Sequence, residues 1–152
     1  MTSRIVFALM AVLLGAGFAA LPATADEKKD KTDVDQLQGT WKFVSMEHDG
    51  QPTPKEDMPT ITFEKDKFTV KAAGGQVLQA GTQVLDGSMK PKTVDATVSE
   101  GEGKGTTMLG IYELDGDTLK ACFDPQGKKR PTEFKSTGGS GHMLVVLKRE
   151  KK

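Results

Sequence analysis

The sequence predicts an all-β fold, an antiparallel eight-stranded up-and-down barrel preceded by a signal peptide. Three observations carry that expectation. Turn signals recur at short, regular spacing along a chain that holds 17 glycines, as expected of many short strands. Val94, Ala96 and Val98 alternate with Asp95, Thr97 and Ser99, and Leu119, Ala121 and Phe123 alternate with Lys120 and Cys122. A period of two puts one set of each on a buried face. Beyond residue 25 no segment shows a helical period. Closing eight antiparallel strands removes both exposed edges; a two-sheet sandwich is the alternative.

The chain opens with Arg4, then an apolar and small run from Ile5 to Ala20, then Ala23-Thr24-Ala25. A positive start, an apolar middle and a small-x-small site read as a secretory signal over residues 1–25, with cleavage before Asp26. The run is short for a membrane span. Asp26 replaces the cysteine that a lipid anchor needs, so an exported, periplasmic or secreted product is expected. Residues 26–35 are almost wholly charged or polar and read as a flexible charged leader. Residues 36–150 make the barrel domain, large enough for one modest core.

The strands follow in order. Gly39 to Glu47 is the first. Asp49-Gly50 turns the chain, and the prolines among residues 51–58 exclude a central strand. Lys55-Glu56-Asp57 behind Pro54 suits one helical turn. Ile61 to Phe63 and Phe68 to Val70 are a hairpin around Lys65-Asp66-Lys67. Gln76 to Leu85 follows Gly74-Gly75, and Asp86-Gly87 is a strong hairpin signal because both residues tolerate positive φ. The alternating strand at Val94 comes next. After the Gly101 to Gly105 loop come Met108 to Leu114, then Leu119 to Phe123. A long connection from Pro125 to Gly141 holds a candidate short strand at Thr132-Glu133-Phe134. Met143 to Arg149 is the last strand.

Charge excludes some function classes. The 21 Lys and Arg balance the 21 Asp and Glu. No general attraction to nucleic acid or to an anionic membrane is expected.

Gly39-Thr40-Trp41, with the only tryptophan, resembles the G-x-W signature of lipocalins. A longer set extends the likeness: Leu37 to Trp41, Gly110 to Leu119, Cys122-Phe123 and Arg130-Pro131-Thr132-Glu133-Phe134. Together these residues resemble a lipocalin-like domain family of unknown function recurrent in planctomycete bacteria. The resemblance implies that Trp41 plugs one barrel end, with Gly39 before it and Arg149 of the last strand lying across its ring. The middle lipocalin motif is absent. The family has no assigned reaction.

No catalytic constellation stands out. Cys122 is the only cysteine, so an internal disulfide is excluded, and neither His48 nor His142 has a known spacing to it. Gly103-Lys104-Gly105-Thr106-Thr107 lacks the P-loop order. Ser140 lacks a G-x-S-x-G elbow. The histidines, and Asp115 and Asp117, fit no zinc or calcium spacing. No cofactor or metal is expected. Arg130 and Glu133 are the candidate loop site, because function collects in long connections. Phe63, Phe68, Val70 and Phe123 are the candidate interior, ligand-facing residues. The expected function is a binding module for a small apolar ligand or an envelope partner. The alternative is a filled-core structural or interaction domain, and an enzyme ranks below both.

Overall fold

The computed structural model describes residues 32–151. The signal segment 1–25 and residues 26–31 of the charged leader lie outside the described residues. A short helix α1 (Asp33–Leu37) precedes nine strands: β1 (Gly39–His48), β2 (Gln51–Pro52), β3 (Thr60–Glu64), β4 (Lys67–Lys71), β5 (Val77–Asp86), β6 (Lys92–Gly101), β7 (Thr107–Asp115), β8 (Thr118–Asp124) and β9 (Met143–Arg149). Strands β1 and β3 to β9 pair in sequence order, all antiparallel, and β9 pairs back onto β1. The result is a closed eight-stranded barrel. The extra strand β2 adds two residues to the far half of β1, where Pro52 is tolerated at an edge.

Period two explains the core. Val94, Ala96 and Val98 of β6, Leu119 and Ala121 of β8, and Val145 and Leu147 of β9 point inward and are buried. Ile61, Phe63 and Phe68 meet them from β3 and β4. Two inward rings stand opposite glycines. Phe68 pairs with Gly81, and Phe123 pairs with Gly110. A Cβ on Gly110 would lie 2.5 Å from Phe123 Cδ1, and one on Gly81 would lie 3.0 Å from Phe68 Cζ and 2.0 Å from the Thr97 carbonyl. Each glycine thus leaves the space that the ring opposite fills. Bulges occur where β1 skips a residue between Phe43 and Ser45 and where β5 and β6 shift near Ala80.

Two sequence expectations need correction. Asp33 to Asp35 belong to α1, where the Thr32 side chain accepts from Asp35 N and acidic residues fill the first turn. Capping and a favourable helix dipole order the end of the charged segment. Thr132 to Phe134 form no strand. Pro131 has no N–H, and Arg130 takes the segment to the outer barrel wall (below). The hairpin signalled by Asp86-Gly87 is present between β5 and β6, but its connection runs over residues 87–91 and neither residue has positive φ. The Asp86 carboxylate instead accepts from Ser88 N at 3.0 Å, a side-chain turn that lengthens the loop. The single turn at Lys55–Asp57 is present as a 3-10 helix.

Candidate functional site

The two barrel ends differ, and sequence order sets which is which. Helix α1, the turns after β3 and β7, the 87–91 loop and the end of β9 share one end. Trp41 fills it, with no exposed surface. Its Nε1 donates to Leu37 O at 2.7 Å, and the Arg149 guanidinium carbon lies 4.3 Å from the ring centroid. Arg149 donates from Nη1 to Gln38 O at 2.7 Å, from Nη2 to Gln36 O, and from Nε to Asp117 Oδ1 at 3.0 Å. Gly39 sits beside it with φ +109, and a Cβ there would meet Arg149 Nη1 at 3.8 Å. Gln38 also exchanges two bonds with Lys65, at 2.6 and 3.1 Å. This end is closed by backbone carbonyls gathered around one cation.

A second anchor was not legible in the sequence. Asp33 Oδ2 accepts from Tyr112 Oη at 2.6 Å and from Lys92 Nζ at 2.8 Å. Burial raises the Asp33 pKa, but the bonds from Lys92 and Tyr112 outweigh it and hold the carboxyl below its usual range. Burial, then the bond to Asp33, pushes the Tyr112 hydroxyl far up. The only local signal was Thr32 three residues before Asp35; the partners lie 59 and 79 residues away.

The opposite end is open. An apolar cavity of about 80 Å3 lies inside the barrel. The four candidate interior residues, Phe63, Phe68, Val70 and Phe123, all line it. Above it stands a cleft of about 500 Å3 whose walls include Phe43, Met46, His48, Leu78, Met108 and Met143. Cavity and cleft share Phe43, Val70, Gln79, Met108 and Met143, so the cleft leads onto the interior. His48 and Glu102 are the ionisable groups in its wall. The rest of that wall is mostly apolar.

Arg130 and Glu133 do not come together. Arg130 Nη1 donates to Val94 O and Gly110 O at 3.2 and 2.7 Å, and Nη2 to Asp95 Oδ1 at 2.6 Å. The side chain pins the long connection to β6 and β7. Glu133 pairs with Lys135 at 3.3 Å, both largely exposed. Asp124 starts the connection: its buried carboxylate accepts from Gln126, Lys128 and Lys129 N at 2.7 to 2.9 Å. Burial raises its pKa, but these three bonds together bring it below the usual range.

Cys122 is fully buried, with Sγ 3.4 Å from Lys135 O. Burial raises its thiol pKa above the ordinary value despite opposing contributions from a hydrogen bond with the Lys135 backbone and from the Lys120 charge. It does not line the mouth. Among the described residues no three His, Cys, Asp or Glu side chains are grouped to hold a metal ion. No family model, no curated protein and no solved structure matches the chain.

Proposed function

We propose that this chain is an exported, lipocalin-like binding protein that takes a small apolar ligand at its open end. The observation that carries the reading is the apolar cleft of about 500 Å3 above the barrel interior, within the range of about 300–1,000 Å3 common for small-molecule sites. The interior cavity of about 80 Å3 takes only the tip of such a ligand. A second reading, a filled-core structural or interaction domain without a ligand, draws on that same small interior, since eight-stranded barrels can be packed by their own side chains.

A neutral, apolar fluorophore such as N-phenyl-1-naphthylamine tests the first reading. Its emission should rise on binding, and Leu78→Glu at the rim should weaken binding about tenfold or more, the penalty for leaving a charge in an apolar contact. Val84→Glu, on an outer wall position that is 70% exposed, should leave binding unchanged. Equal effects of both variants, or no binding by wild type, favour the filled-core reading. Export is tested separately by amino-terminal sequencing of the protein recovered outside the cytoplasm, which should begin at Asp26.

A further inference from the structure

Three of the five methionines among the described residues, Met46, Met108 and Met143, line one cleft together with His48. Met46 and His48 lie two apart on β1, past its bulge, and therefore face the same way. Met143 is the cross-strand partner of His48, and Met46 partners Val145, one inward step along β9. Directly opposed residues have Cβ atoms about 4.5–5.5 Å apart. Residues two apart on a strand are separated by about 7 Å. Two long thioethers and an imidazole thus start from one small patch of wall and open onto one space.

The backbone around this patch is held from outside. Asp49 N donates to His142 O at 3.0 Å, and Gly141 N donates to Asp49 Oδ1 at 2.9 Å. Ser136 Oγ donates to His142 O at 2.8 Å and accepts from Gly50 N at 3.0 Å. The residues next to His48 and Met143 are therefore fastened to each other, which presets the spacing of the two side chains. The His48 ring makes no hydrogen bond among the described residues, so its nitrogens are available as donors.

We propose that Met46, His48 and Met143 form a three-donor site for a soft monovalent metal ion of the Cu(I) and Ag(I) class. Thioethers select soft ions, and imidazole completes the set. All three donors are neutral, which suits a single positive charge in an apolar mouth. Zinc and calcium favour thiolate or carboxylate donors; the Asp49 carboxylate beside His48 is taken by Gly141 N at 2.9 Å, and Glu102 is the carboxylate elsewhere in the cleft wall. Met108 stands across the cleft as the next nearest soft donor in the wall. The inference does not rest on the apolar-ligand reading.

Ag(I), which needs no reductant, is the probe. It should be titrated as the nitrate, in chloride-free buffer, into the full chain and into Cys122→Ala, because a thiol also binds soft ions. One equivalent should bind in both. The methyl signals of Met46 and Met143 and the ring signals of His48 should shift, and that of Met89, in the loop at the other end, should not. Met46→Leu with Met143→Leu, and separately the exposed-site change His48→Ala, should each weaken binding about 10- to 100-fold or more, the loss typical of disturbing even the outer shell of a metal site. The urea denaturation midpoint should be unchanged in His48→Ala, an exposed position, which separates loss of the metal site from loss of the fold. Ag(I) binding that vanishes in Cys122→Ala, or that persists unchanged in both mouth variants, would overturn the assignment.

Discussion

Arg149 lies over the Trp41 ring, its guanidinium carbon 4.3 Å from the ring centroid, and joins the end of the last strand to the start of the first. The two residues are also register partners in the β1–β9 seam, so the contact closes the barrel and caps its end at once. A shielded cation–π contact is worth about 0.5–2 kcal/mol. Arg149→Ala should cost more than this, because three carbonyl or carboxylate partners lose their donor as well. Trp41→Phe should cost about 1–3 kcal/mol through lost volume and the lost bond to Leu37 O. The double variant should lose less than the sum, since the contact is shared. Urea denaturation of the four proteins measures this, and strict additivity would rule out the shared contact.

Tyr112→Phe should cost about 1–2 kcal/mol, the loss of one donor to a carboxylate that keeps its second partner Lys92. It should also change the pH profile of stability. The folded Asp33 pKa is depressed, so its contribution is complete above the unfolded carboxylate value of about 4 and is lost as pH falls through the lower folded value. The folded Tyr112 pKa is raised, so its contribution is complete below about pH 10 and is lost as pH rises beyond it. The variant should flatten both limbs. Denaturation midpoints collected across that range decide the point.

Gly110→Ala should destabilise the barrel by about 1–3 kcal/mol, as overpacking does. Its methyl would meet the Phe123 ring at 2.5 Å and the Cys122 carbonyl at 2.9 Å. Phe123→Leu on that background should recover part of the loss and, alone, should be destabilising. Thermal melts showing no rescue would assign the cost to the backbone contact.

Cys122 should react slowly with a thiol reagent in the native protein and fast in denaturant, because the thiol is buried and its pKa is raised. Native labelling as fast as that of the unfolded chain would contradict the buried placement.

The sequence by itself determined the eight barrel strands and their order. Val94, Ala96 and Val98, or Leu119 and Ala121, declare their inward face through a period of two that needs no knowledge of the partner strand. The short turns forced neighbours in sequence to be neighbours in the sheet, and the inward placement of Phe63, Phe68, Val70 and Phe123 followed from the same alternation. Only the tertiary structure decided which inward side chains meet. Phe123 over Gly110, Met143 across from His48, and Asp33 against Tyr112 depend on register, and register in a closed barrel is set by bulges and by the seam between β1 and β9. Arg130 illustrates the same limit. Its place in a long connection marked it as a candidate site residue, yet its bonds to the Val94 and Gly110 carbonyls, 36 and 20 residues away, exist only once β6 and β7 are paired. Alternation is a property of one strand, whereas a pocket is a property of several, and the distance between its walls is written in no single stretch of chain.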